Sequence, residues 1–150
     1  MRTLLLLAAL AVAPSAFAQP SNDTPATATV VTTDPFTDTN VSFTTATDAG
    51  GYPNSNGTNC DGSLPEVFYT FVAQGTNLTI TIGSPSGTSY IQVFESEDTS
   101  FTQGEALLVC STRTSATLNT LTAGRRYYVL VLNTGGDSDV TFGNTTLPVE

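Results

Sequence analysis

A chain of 150 residues with 13 acidic and four basic side chains, no histidine and no tryptophan carries a formal charge of −9 at pH 7. That balance argues against nucleic acid and anionic lipid as partners, since both need a basic footprint. Without histidine there is no Ser-His-Asp or Cys-His nucleophile arrangement and no imidazole metal ligand, and the length suits one domain around one core.

The first 18 residues read as an export leader. Arg2 supplies the positive start, residues 4–12 a short apolar core, and Ala16-Phe17-Ala18 a small-x-small cleavage site, so cleavage before Gln19 is predicted. The remainder is then secreted or held at the cell surface, with the periplasm as the other compartment open to it. Its cations reduce to Arg113, Arg125 and Arg126 against 13 acids, a formal charge of −10. The leader's apolar core is too short to span a membrane, and no later stretch approaches about 18 uninterrupted apolar residues, so no transmembrane span is expected.

Residues 19–27 form a polar lead-in with Pro20 and Pro25, expected to lie against the domain without regular structure, ahead of a single domain over 28–150. From there the pattern is that of strands. Val67, Tyr69 and Phe71 share a face, and residues 78–82 alternate apolar and hydroxyl side chains with period two. In 89–95, Ile91 and Val93 lie on one side and Tyr90, Gln92 and Phe94 on the other. In 125–132, Tyr127, Val129 and Val131 oppose Tyr128, Leu130 and Leu132, so both faces are apolar and a central strand covered twice is expected. Weaker strands are predicted over 28–33, 39–46, 106–112, 115–121 and 138–143.

No segment keeps helical periodicity over ten residues, and a threonine-rich composition favours sheet, because β-branched side chains lose rotamer freedom in a helix. Eight or nine short strands between Gly, Pro, Asn and Asp turns predict a β-sandwich, with a closed barrel as the alternative.

The longest irregular stretch, 47–64, exceeds an ordinary connection and reads as a functional rim or a pinned surface excursion. It holds Tyr52, Asp48, Asp61 and Cys60. In an exported chain the two cysteines, Cys60 and Cys110, are expected to form one disulfide, worth about 4 kcal/mol on the chain-entropy account.

Calcium is the one cofactor with a physical basis, because hard cations take several carboxylate and carbonyl oxygens from loops. Asn22 and Asp23 in the lead-in, with Asp48 and Asp61 in the long loop, are the candidate ligands, though none falls in an EF-hand spacing and turn or capping roles compete. Tyr52 is the candidate for stacking on a sugar ring, against local packing as the plain alternative. Paired carboxylates about 5–9 Å apart would suffice for glycoside hydrolysis. Abundant acids do not supply that geometry, and Glu95, Glu97 and Asp98 read as a solvated turn. No catalytic residue is assigned.

Two stretches, Pro65-Glu66-Val67-Phe68-Tyr69-Thr70-Phe71-Val72-Ala73 and Asn77-Leu78-Thr79-Ile80-Thr81-Ile82, resemble the opening core strands of the bacterial pre-peptidase C-terminal (PPC-like) domain family. Ile91-Gln92-Val93-Phe94 with Leu108-Val109-Cys110, and Leu121-Thr122-Ala123-Gly124-Arg125-Arg126-Tyr127-Tyr128-Val129, are similar to later segments of that family in the same order. Glu66 and Phe68 stand where its members often carry Asp and Trp. The resemblance spans about residues 22–143 and implies a jelly-roll-like antiparallel β-sandwich, usually an accessory module of secreted enzymes or surface proteins.

The function expected is therefore a secreted, non-catalytic accessory or adhesive module that binds a polysaccharide, a surface component or a partner protein. A structural cell-envelope protein and a carboxylate-dependent secreted hydrolase are the competing classes.

Overall fold

The computed structural model describes residues 18–48, 64–83, 85–96, 101 and 106–143. Their strands are β1 (Thr29–Val30), β2 (Phe36–Val41), β3 (Glu66–Val72), β4 (Leu78–Ile82), β5 (Ser89–Ser96), β6 (Ala106–Ser111), β7 (Ser115–Leu118), β8 (Arg126–Asn133) and β9 (Ser138–Gly143). They form two sheets, a five-stranded one ordered β1-β3-β8-β5-β6 and a four-stranded one ordered β2-β9-β4-β7. Pairing is antiparallel except between β1 and β3. The architecture is a β-sandwich of two sheets rather than a closed barrel.

Strand positions follow the period-two signal closely where it is strong. β4 occupies 78–82 as expected, and β5 and β8 lie within a residue or so of their predicted bounds. Two weaker expectations need correction. The segment 28–33 contracts to the two-residue β1, and 39–46 moves back to Phe36–Val41. The cause in β2 is a register shift between Asp38 and Val41, where Asn40 takes a positive φ of 54°. An irregularity there breaks the alternation from which the strand's phase was read.

The inner faces meet in a large core. Val67, Tyr69, Phe71, Ile91, Val93, Tyr127, Val129 and Val131 of the five-stranded sheet pack on Leu78, Ile80, Ile82, Leu118, Val140 and Phe142 of the other. Aromatic rings give this layer its geometry: Tyr69 and Phe142 lie 5.0 Å apart between centroids, and Phe71 stacks on Tyr127 at 5.4 Å.

The outer face of the five-stranded sheet is buried too. Phe68, Phe94, Phe101, Tyr128, Leu130 and Leu132 form a second cluster, with Phe101 stacked on Tyr128 at 4.9 Å. Registers explain the grouping, since Phe68 faces Leu130, and Phe94 faces Tyr128. β8 thus buries residues of both parities from Tyr127 to Asn133, as its two apolar faces predict. Phe68 fills a site in this outer layer with no exposed surface.

The lead-in is more ordered than its composition suggests. Residues Pro25–Thr27 form one turn of 3-10 helix, and Asn22 and Asp23 are buried. Phe68 N donates to the Asn22 carbonyl at 2.8 Å, and Asn22 Nδ2 donates to the Phe68 carbonyl at 3.2 Å, so one asparagine covers a stretch of β3 ahead of β1. Covering a strand edge in this way satisfies backbone groups that would otherwise invite another strand. Gly124, in the turn before β8, has φ of +83°, a left-handed conformation that favours glycine, and its N–H donates to the Ala73 carbonyl at 2.7 Å.

Candidate functional site

The two sheets end differently at their two sides. β1 and β2 are the edge strands on one side, and β6 and β7 on the other. At the β6–β7 side the chain leaves one sheet and enters the other through residues 112–114, and an open cleft of about 340 Å³ lies in that crook. It is lined by Val109, Cys110, Ser111, Thr112, Arg113, Ser115, Ala116 and Thr117. Val109 and Ala116 belong to the inter-sheet core or pack against it, so they bring apolar surface to the cleft, while the remaining lining is largely hydroxyl.

The crook is held by its own serine. Ser111 Oγ donates to the Ser115 carbonyl at 3.0 Å and accepts from the Arg113 N–H at 3.3 Å. These bonds fix the turn between the strands and leave the Arg113 side chain exposed. Among the described residues that side chain makes no ion pair, whereas Arg125 meets Glu95 at 3.6 Å and Arg126 Nη1 donates to Thr70 Oγ1 at 3.5 Å.

A smaller cleft of about 210 Å³ lies at the opposite side, between Pro20, Ser21 and Asn22 of the lead-in and residues 38–42. Asp38 lines it, and its Oδ2 accepts from the Tyr69 hydroxyl at 3.0 Å. Burial first, then the charge and hydrogen bond of Asp38, hold the Tyr69 phenol well above the ordinary tyrosine pKa, so it remains a donor throughout the neutral range. Asp139 Oδ1 accepts from the Asn40 N–H at 2.9 Å, fixing the irregular end of β2.

Of the calcium candidates, Asn22 donates from Nδ2 to the Phe68 carbonyl, and both carboxylate oxygens of Asp23 accept from Thr47, from its N–H at 2.6 Å and its hydroxyl at 2.7 Å. Asp48 is exposed beside that clamp, and Asp61 lies outside the described residues. Among the described residues no group of three or more His, Cys, Asp or Glu side chains converges on one point.

Tyr52 also lies outside the described residues, as do residues 49–63 of the long stretch and residues 1–17 of the leader. The Cys60–Cys110 expectation has to be restated. Among the described residues there is no disulfide, Cys60 lying outside them, and Cys110 is exposed on β6, where it lines the cleft.

Sequence reasoning missed Arg113 and its hydroxyl neighbours. The available signal was the run Ser111-Thr112-Arg113-Thr114-Ser115, a polar turn holding one of three arginines in an acidic chain between two strands. Among the described residues no helix is long and apolar enough to cross a membrane. Neither a scan against protein-family models nor a search of curated proteins finds a match to this chain.

Proposed function

We propose that the chain is a secreted, non-catalytic accessory or adhesive module that binds a polysaccharide in the β6–β7 cleft. The observation that carries this reading is the composition of the cleft, apolar surface from Val109 and Ala116 beside the hydroxyls of Ser111, Thr112, Ser115 and Thr117. A sugar ring presents the same two chemistries, C–H surface and hydroxyl rim, and a few placed polar groups beside apolar surface are what orient a small ligand. Openness suits a polymer that enters and leaves along its length.

The PPC-like family and its jelly-roll topology are part of the proposal. Supporting them is the strand order: counting β2 to β9 as eight strands, one sheet runs first, eighth, third, sixth and the other second, seventh, fourth, fifth. That order is what two Greek keys wound together produce.

The test is a glycan array and titration with the mature domain, with and without calcium. Saturable binding to a polysaccharide, lost in Ser115→Trp with an unchanged melting temperature, is expected. Binding that survives the filled cleft, or no glycan bound at all, would overturn the reading.

A further inference from the structure

We infer that the β6–β7 cleft selects a polysaccharide carrying isolated carboxylates, a uronic-acid polymer, and that Arg113 is the residue that reads the carboxylate. The inference rests on the polysaccharide reading of the same cleft and names its ligand class.

Its starting point is the distribution of positive charge. Beyond the predicted leader the chain has three cations, and two of them are committed, Arg125 to Glu95 and Arg126 to Thr70. Arg113 is exposed, lines the cleft, and makes no side-chain hydrogen bond or ion pair among the described residues. Among the described residues Arg125 meets a carboxylate and Arg126 a hydroxyl, whereas no side-chain contact of either kind engages the Arg113 guanidinium. Its position is also held, because the Arg113 N–H is bonded to Ser111 Oγ and Ser111 Oγ to the Ser115 carbonyl.

A guanidinium presents a planar fork of donors that matches a carboxylate with two parallel hydrogen bonds. Among the described residues the lining offers hydroxyls that serve ring hydroxyls and no carboxylate to compete for the arginine. Cleft size agrees: about 340 Å³ sits at the lower end of the roughly 300–1,000 Å³ usual for small-ligand sites, enough for a short run of sugar.

The rest of the charge then sets the kind of anion. At long range the formal charge of −10 beyond the predicted leader opposes any polyanion, and it opposes a polyphosphate, with its denser charge, more than a polymer with one carboxylate per ring. Uronic acids place one carboxylate on each ring, and a single arginine needs only one. At physiological ionic strength the screening length of about 8 Å confines the attraction to the cleft and shields the ligand from the distant acids.

Calorimetric titration of the mature domain with oligogalacturonate and with its fully methyl-esterified form tests this, since the ester keeps the skeleton and loses the charge. The uronate is expected to bind about tenfold or more tightly than the ester. Arg113→Gln should lower uronate affinity to the level of the ester and leave ester affinity unchanged, and Arg113→Lys should restore part of the preference. Raising salt from about 0.05 M to about 0.5 M should weaken the uronate alone. Equal affinities for the two ligands, or a preference that persists in Arg113→Gln, would overturn the inference and leave the polysaccharide reading standing. A poly-glutamate peptide bound as tightly as the uronate would overturn it as well. Failure of both saccharides, together with an empty glycan array, would remove the polysaccharide reading itself.

Discussion

The Tyr69 hydroxyl, rooted in β3 of the five-stranded sheet, donates to Asp38 Oδ2 on β2 of the other sheet at 3.0 Å. This bond ties the two sheets together on the side away from the β6–β7 cleft. Tyr69 is buried and packs edge-on against Phe36 at 6.5 Å, so the ring fills the core while its oxygen reaches the half-buried carboxylate.

Tyr69→Phe should cost about 1.5–3 kcal/mol at pH 7, the net worth of a hydrogen bond to a carboxylate. The alkaline behaviour has a definite sign. The folded-state pKa lies above the ordinary value of 10.0, so the unfolded chain releases this proton first and the stabilisation, complete below pH 10.0, is lost as pH rises beyond it. Urea unfolding at pH 7 and near pH 11 checks both points: the native protein should lose more stability between them than Tyr69→Phe, and equal losses would contradict the assignment.

The outer cluster should matter as much as the inner one. Phe101 is only 8% exposed, stacks on Tyr128 and lies 5.1 Å from Phe94. Phe101→Ala is expected to cost about 3 kcal/mol, whereas Leu108→Ala, 38% exposed on β6, should stay within about 0.5 kcal/mol. Chemical denaturation of the two variants separates a true second core from a loosely covered face.

Asp23 clamps Thr47 by two hydrogen bonds, at 2.6 and 2.7 Å, and Glu66 N donates to the Thr47 carbonyl at 3.2 Å. Asp23→Ala should therefore lower stability by about 1–3 kcal/mol and speed amide exchange at Thr47 and Glu66 ahead of the β4–β9 ladder. An exchange pattern unchanged at Thr47 would show that the lead-in does not hold this segment.

Gly87 and Gly135 pass backbone against backbone between the β4–β5 and β8–β9 turns. A Cβ on Gly135 would collide with Gly87 N and the Ser86 carbonyl carbon, and backbone on both sides leaves nothing flexible to yield. Gly135→Ala is expected to cost about 2 kcal/mol or more, while Gly143→Ala, whose Cβ meets nothing within 4 Å, should be nearly silent. Thermal melts of the pair decide this.

How much of this was legible depended on which face each residue served. In β8 both parities are apolar, so burial on two sides could be read directly from Tyr127 to Leu132. In β3 only Val67, Tyr69 and Phe71 announced a face. Phe68 stood between Glu66 and Thr70, and nothing local indicates that all three are buried, since that requires a second layer over the sheet. Asn22 looked like a loop residue with oxygen to offer a cation, and in the fold it serves as a backbone mimic against Phe68.

The candidate cleft shows the same division. That 111–115 is a polar turn between strands follows from its residues alone. That the turn crosses from one sheet to the other, between two edge strands, with Arg113 exposed, follows from β6 pairing with β5 and β7 pairing with β4. By itself the sequence determined the strand class, the turn positions and the shortage of positive charge, because alternation, turn chemistry and composition act over a few residues. The tertiary structure decided which strands became edges, which face acquired a second core and which arginine met an acid among the described residues, because those outcomes depend on contacts between segments far apart in the chain, chosen by how well they pack.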